Sequence, residues 1–468
     1  MHEFCDERHK ELGPIFKERL GPQELVFLAD TKMIQTAIAN EGPRPHHSVP
    51  EAWLFYNKLK GIKRGLFFQT GESWSKLRKV FNKVMMADAK SSSRFTKDLL
   101  SINDDLFKSW AVQGNANSDN HIVIDDILPD LCKWSIESTG LILFGARMGC
   151  IIEHSYPKSS YVNNHQSCED RAGQLVENVK TMFQETSKLQ VLPVEIAHRF
   201  NLGPWRRFEK ASDNMLRIAH EYAAEFISKS KCSNAASDFP SLLNDLIKSG
   251  SLTDEEISQS VTDLIIAAAD TTSNSLQWMI YAIARFNHVQ ALIYEEVAPL
   301  FDLLINSEDI SETSSLIRER APYLTGFVKE VMRLYPTAPF LARTLDHEIV
   351  LDNYLIPPKV PIVFSLYTTS RMSKYFKDPL AFQPERWLRT RENDDITVRK
   401  HAYASLPFGV GARMCIGRRA ADLEICLFMI SIISKFTCEL VDPDPIGTKL
   451  KMVMCPERPI GLRLKSRK

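Results

Sequence analysis

From Thr253 to about Phe286 the chain runs without proline or glycine, behind a Thr253-Asp254-Glu255-Glu256 start that has capping-box spacing. About 33 helical residues at about 1.5 Å each would reach about 50 Å, the width of a whole domain. The spacing therefore predicts a fold built around one long rod. Its centre reads Ala267-Ala268-Ala269-Asp270-Thr271-Thr272. Three alanines would let a flat ligand approach the backbone, and a carboxylate beside a hydroxyl inside a largely buried helix needs partners. A tight helix crossing with a surface aspartate fits the same letters equally well.

Helical periodicity dominates elsewhere, as in the stripe Met215, Leu216, Ile218, Ala219, Tyr222, Ala223, Phe226 and Ile227. Strand-like runs are short: Glu24 to Leu28, Ile349 to Leu351 and Pro361 to Leu366. The expected fold class is mainly α with small accessory β-sheets. Ser155 to Asp170, Ser228 to Ser237 and Glu308 to Ser315 are polar and irregular, and are read as surface connections. No stretch has the composition of an interdomain linker and no repeat is present, so residues 1–468 are taken as a single domain.

Composition narrows the partners. Lys plus Arg and Asp plus Glu both total 58, so no global field attracts nucleic acid. Nine cysteines, at 5, 132, 150, 168, 232, 415, 426, 438 and 455, form no CxxC pair and no regular framework, which favours a reducing compartment. The first twenty residues mix both signs of charge and hold no long apolar run, unlike a signal peptide, a membrane anchor or a transit peptide. For an organelle protein, that implies a chain beginning near its mature start.

Near the C-terminus lies Pro407-Phe408-Gly409-Val410-Gly411-Ala412-Arg413-Met414-Cys415-Ile416-Gly417-Arg418-Arg419, followed by a helical pattern through Phe436. A cysteine in a Gly-rich loop that opens a helix is a candidate low-pKa thiolate, because the loop N–H groups and the helix N-terminus favour its charge. Soft thiolates suit haem iron. Phe408, Gly411, Arg413, Cys415 and Gly417 together resemble the haem-binding loop of cytochromes P450 at every key position. The resemblance implies the cytochrome P450 fold and a haem b cofactor, with the haem-binding loop at 407–419. Cys415 would be the axial thiolate ligand of the iron, Phe408 would shield the sulfur, Gly411 and Gly417 would give the tight turn, and Arg413 would pair with a propionate.

Other segments extend the likeness. Glu330 and Arg333 are an i, i+3 pair that elsewhere would pass for surface decoration. Followed by Leu334-Tyr335-Pro336 and later by Phe382-Gln383-Pro384-Glu385-Arg386-Trp387, they resemble the family's K-helix and the segment that supplies a third charged partner. Glu330, Arg333 and Arg386 would then form a buried triad that assembles the haem pocket. Trp74 and Arg78, four apart, put an indole N–H and a guanidinium on one helical face, and the resemblance to the family's C-helix implies propionate contacts there. Arg343 stands where the family commonly has another. Ala267 to Thr272 is similar to the oxygen-activation motif, with Asp270 and Thr271 as the acid and alcohol that deliver protons. Ala268 departs from the glycine usual at its position, which predicts an altered local kink.

The stretches Gly65-Leu66-Phe67-Phe68…Gly71-Glu72-Ser73-Trp74 and Cys415 to Glu424 resemble the mitochondrial class. That class implies a small acidic, adrenodoxin-like ferredoxin with its NADPH-dependent reductase as electron source. It also implies the matrix side of the mitochondrial inner membrane as location. Lys329, Arg418 and Arg419 occupy ferredoxin-docking positions, whereas Thr325 stands where many members carry a second lysine. Substrate walls are expected at His46 to Leu59, Glu169 to Trp205 and Pro336 to Leu341. Leu192 to Ile196 would form a membrane-dipping access loop, giving peripheral membrane contact and a lipophilic, sterol-sized substrate. His2 to Phe16 and Pro50 to Trp53 resemble the arthropod ecdysteroid-hydroxylating members, the 2-hydroxylase in particular. The function implied is a haem-thiolate monooxygenase acting on a steroid. A xenobiotic-oxidising enzyme, a haem-thiolate isomerase or peroxide-dependent enzyme, and a non-catalytic haem protein are the alternatives.

Overall fold

The computed structural model describes residues 1–21, 23–85, 94–113, 121–151, 165–232, 241–307, 312–388 and 402–467. The long run without proline or glycine forms one helix, Asp254–Arg285, of 32 residues. Its start is fixed as the sequence predicts: the Glu256 N–H donates to Thr253 Oγ1 at 3.2 Å, and the Thr253 N–H donates to the Glu256 carboxylate at 2.8 Å. Helices Leu128–Phe144, His165–Leu189 and Gly203–Cys232 pack along this central rod. The Met215-to-Ile227 stripe lies in the last of these, with Met215, Ile218, Ala219, Tyr222, Ala223 and Phe226 all buried.

Three polar stretches differ from expectation. Residues 165–170 belong to His165–Leu189, residues 228–232 to Gly203–Cys232, and residues 313–315 to a helix Thr313–Arg320. A polar run continues a helix without cost where its face is solvated, so composition alone misplaces such ends. The remaining parts, 155–164, 233–237 and 308–311, lie outside the described residues.

The strands form small separate sheets. Ile15–Leu20, Gln23–Leu28, Pro361–Ser365 and Phe340–Thr344 make a mixed four-stranded sheet in that order, whose second and third strands are parallel. His121–Ile124, Leu462–Ser466 and Phe436–Leu440 form an antiparallel three-stranded sheet, and two further hairpins complete the set. The expected strand ending at Leu366 stops at Ser365, where a one-turn helix begins. Two large apolar clusters flank the central helix. One joins it to Pro322–Leu334 and Arg418–Lys435, the other to Gly71–Met85 and the helices around Gly203–Cys232. Trp278 stacks on Tyr335 with ring centroids 4.1 Å apart, which pins the end of Pro322–Leu334, and hence the chain from Pro336 onward, to the rod.

Candidate functional site

The cysteine loop is built by two tight turns. Gly409 and Gly411 have φ of 71° and 77°, and the Cys415 N–H donates to Phe408 O at 2.9 Å. The positive φ favours glycine at 411, and a Cβ there would lie 2.2 Å from Glu41 Oε1 and push that carboxylate off its bonds to Arg343 and Ala412. The helix after the loop starts at Arg418, with Gly417 as its N-cap residue. Cys415 is open to solvent-sized contact although protein atoms crowd it on nearly every side, so its sulfur faces an interior space.

One expectation fails in the protein alone. Burial pushes the Cys415 thiol up, and the Gly417 backbone, Arg78 and Arg418 only partly oppose this. Desolvation outweighs the helix terminus. A metal coordinated to the sulfur would reverse this, since it deprotonates a thiol outright.

Next to the loop, Arg413 is the hub of a basic cluster. Its guanidinium lies over the Trp74 ring at 4.1 Å and donates to Pro45 O and Gln69 O. Burial, Arg343 and Arg78 together lower its pKa to about 10, with Glu41 opposing. Arg343 donates to Glu41 at 2.6 Å and to Val410 O at 3.1 Å, and the Ala412 N–H donates to the other Glu41 oxygen. Arg78 is 8% exposed, and its buried Nε has no partner. Three guanidinium groups against the single Glu41 carboxylate leave two positive charges uncompensated in a shielded place. A cofactor with two carboxylates and an iron for the sulfur fits this donor set.

On the central helix, Ala267 and Thr271 are exposed and Ala268 and Ser275 half-exposed, while the rest of that stretch is buried. This strip at i, i+4 spacing also opens inward, and the Ser275 and Thr337 hydroxyls share a 2.7 Å hydrogen bond at its end. Five successive carbonyls are capped by side chains. Thr271 donates to Ala267 O, Ser135 to Ala268 O, Ser273 to Ala269 O, Ser273 and Asn274 to Asp270 O, and Ser275 to Thr271 O. The helix nevertheless runs unbroken through this turn, with Ala268 where the resemblance implies glycine.

Asp270 does not share the open face. It is 6% exposed, accepts from Asn274 Nδ2 at 3.1 Å, and has no direct hydrogen bond to Thr271 among the described residues. Burial raises its pKa to about 6, against the pull of Lys180, Asn274 and Lys451. The unfolded chain ionises this group near 3.8 whereas the fold holds the proton up to about 6. Its contribution to stability therefore improves as pH falls through about 6 and is worst above it. Asp270→Asn is expected to stabilise the fold by up to about 3 kcal/mol near neutral pH, and by little near pH 4, in thermal unfolding followed across that range.

Glu330, Arg333 and Arg386 meet as expected. Arg333 donates to both Glu330 oxygens at 2.7 and 2.9 Å and Arg386 to one at 3.0 Å, while Gln383 N–H and Trp387 Nε1 add two more donors. Burial alone would raise the Glu330 carboxyl, but the Arg333 hydrogen bond, the two guanidinium charges and the Gln383 N–H hold it below its ordinary value. The remaining Arg333 donors reach Ser370 O, Pro379 O and Ala381 O, which fixes the chain leading to the cysteine loop.

Two expected walls touch. Trp53 stacks on Phe183 at 5.8 Å, donates to Thr186 Oγ1 at 2.8 Å, and lies against Phe67 and Phe68. The sequence reading missed what holds this wall down. Asp263 on the central helix accepts from Arg64 Nε at 2.7 Å and from Gly65 N–H at 2.8 Å, and Gly65 is so close that a Cβ would lie 2.4 Å from Ser260 Cα. Glu41 was missed as well. Both are single acids whose partners lie far along the chain, which no local spacing reveals.

Lys329, Arg418 and Arg419 are exposed. Lys329 lies over the Trp387 ring, and Arg418 approaches Asp422 at 3.8 Å and the Phe408 ring at 5.7 Å. Val191, Leu192, Ile196, Phe200 and Leu202 form an exposed apolar group around the short helix Val194–Arg199. Among the described residues, no helix is long and apolar enough to cross a membrane, and Cys5, Cys132, Cys150, Cys415, Cys426, Cys438 and Cys455 are free.

Comparison with known proteins agrees with this geometry. The cytochrome P450 family model matches residues 1–464. The mitochondrial cholesterol side-chain cleavage enzyme of Equus caballus is 29% identical over 98% of the chain and 84% of its own length. The Rattus norvegicus counterpart is 28% identical, covering 98% and 82%. Cytochrome P450 27C1 of Danio rerio is 29% identical over 100% of the chain and 83% of its own length.

Proposed function

Since the chain belongs to the cytochrome P450 family and is therefore a haem-dependent monooxygenase, we propose that Cys415 holds the iron and that the substrate is a steroid-like lipophile. The observation that carries the assignment is the pairing of an inward-facing Cys415 with a shielded basic cluster two charges in excess. Haem bound there supplies oxygen activation, which an electron-donating thiolate promotes.

The chain's own residues do the rest. Arg78, Arg343, Arg413 and the Trp74 indole bind the propionates, and Phe408 covers the sulfur. Thr271 presents its hydroxyl to the reacting region: it donates to Ala267 O at 2.9 Å, and its lone pairs remain open to accept a proton in transit. Asp270, poised near neutrality, is the proton reservoir, and water links it to the adjacent Thr271. The aromatic wall of Trp53, Phe67, Phe68 and Phe183 excludes bulk water and accepts an apolar ring system. Ser275 and Thr337 supply polar anchors on an otherwise apolar surface.

The relatives named as mitochondrial enzymes support electron delivery by a small acidic ferredoxin with its NADPH-dependent reductase, docking at Lys329, Arg418 and Arg419. They also support the matrix face of the inner membrane as location. The exposed apolar group from Val191 to Leu202 is suited to peripheral contact with a bilayer and to uptake of a lipophile from it. Within the steroid class, the N-terminal resemblance favours ecdysteroid hydroxylation.

The test is turnover of a steroid panel with ferredoxin and its reductase, in the wild type and in Thr271→Ala. Product formation in the variant is expected to fall on the order of 100-fold while NADPH consumption continues. Equal product per NADPH in the two proteins would remove Thr271 from the proton path, and no oxidation of any steroid would remove the substrate class.

A further inference from the structure

The segment 45–47 is stitched into the basic cluster by its backbone. Arg413 Nε donates to Pro45 O at 3.0 Å, and the Thr344 N–H donates to His46 O at 3.2 Å, beside Arg343. His47 is thus held next to both guanidinium groups. Its ring stands edge-on to Phe67 with centroids 4.9 Å apart. Nδ1 and Nε2 are both shielded from water and neither makes a well-formed hydrogen bond; the Phe67 backbone is near enough only to favour the protonated ring slightly.

An imidazole with two idle, shielded nitrogens is unfavourable, since each buried polar group without a partner loses its hydration and gains nothing. Burial and then the charges of Arg413 and Arg343 keep the ring neutral, so it carries one N–H that needs an acceptor. The charged groups beside it, Arg413 and Arg343, are donors whose bonds go to Glu41, Val410 O and Gln69 O, and the Phe67 backbone approaches without forming a well-made bond. The unpartnered Arg78 Nε and the unbalanced cluster charge call for an acceptor as well. A carboxylate beside Arg413 and Arg343 would accept from the His47 ring, and a second one would serve Arg78, which neighbours Arg413 on its own account.

We propose that His47 is a cofactor-binding residue, donating a ring N–H to one haem propionate beside Arg413 and Arg343. This rests on the reading of Arg78, Arg343 and Arg413 as the propionate cradle. It moves His47 from the substrate wall, where the span His46 to Leu59 had put it, to the cofactor edge. The segment before Trp53 would then couple the two, since any shift of His47 moves the chain that leads into the aromatic wall.

The test uses the purified holoenzyme. Haem transfer to excess apomyoglobin gives the rate of haem loss, and resonance Raman bending modes of the propionates report their hydrogen bonds directly. His47→Phe keeps an aromatic ring against Phe67 but has no donor, and His47→Gln keeps a donor. The proposal expects haem loss from the Phe variant to speed up about 10- to 100-fold with shifted propionate modes, and the Gln variant to restore most of both. If the Phe variant does not fold, His47→Met offers an adaptable apolar chain for the same comparison with Gln. Wild-type haem retention and unshifted modes in the apolar variant would overturn the proposal. Arg413→Ala separates the two levels: rapid haem loss there with an unaffected His47 variant leaves the cradle standing and His47 outside it, whereas retention in both removes the cradle itself.

Discussion

Glu330→Ala is expected to yield little or no folded, haem-loaded protein. The carboxylate is fully buried and receives Arg333, Arg386, Trp387 and the Gln383 N–H, and both guanidinium groups are themselves shielded. Removing it strands two buried positive charges, and breaking even one buried pair costs about 3–5 kcal/mol. Domains are stable by only about 5–15 kcal/mol, so the loss takes much or all of the margin. The defect should also be local in kind. Arg333 holds Ser370, Pro379 and Ala381 by their carbonyls, and releasing it frees the segment that runs toward the cysteine loop. Soluble yield, haem content and urea unfolding check this. Lys329→Ala, one residue away but exposed, should stay within about 0.5 kcal/mol of the wild type.

What the sequence made legible was local. The capping box and the gap free of proline and glycine located the central helix to within a residue of each end, because both signals act within one turn of where they are read. The cysteine loop was legible through resemblance, but the turn expected at Gly411 and Gly417 falls at Gly409 and Gly411, both at positive φ, while Gly417 has a φ of −83° and caps the following helix. Glu330 and Arg333 were readable as a pair, and Arg386 joined them only through resemblance, since 53 residues separate it from Arg333. Three things stayed hidden. The Cys415 thiol rises where helix-terminus reasoning said it should fall, because desolvation depends on packing from the whole fold. Asp270 and Thr271 are adjacent in sequence yet differ in environment, since neighbours on a helix point about 100° apart; one is buried against Asn274, the other open. The anchoring acids Glu41 and Asp263 act on partners about 300 and 200 residues away, a relation that only the folded chain displays.

At 267–271 the helix stays regular, and its carbonyls accept bonds from side chains. Ala268 lacks the freedom of glycine, but hydroxyls and an amide from Thr271, Ser135, Ser273, Asn274 and Ser275 draw on five consecutive carbonyls. Thr271 lies on the open face of an unbroken rod.

Cys415→Ser is expected to abolish oxygenation while leaving the fold intact. The side chain is nearly isosteric, and the main-chain bond from Cys415 N–H to Phe408 O does not depend on the sulfur. A serine hydroxyl is a poor axial donor to haem iron, so the electron push that favours O–O cleavage is lost. The carbon monoxide difference spectrum of the reduced, purified protein, recorded beside Cys415→Ser, tests this most directly. A strongly red-shifted Soret band in the wild type, absent from a folded variant, is the predicted result; a folded wild type that binds no haem, or a band unchanged by the substitution, would contradict the account.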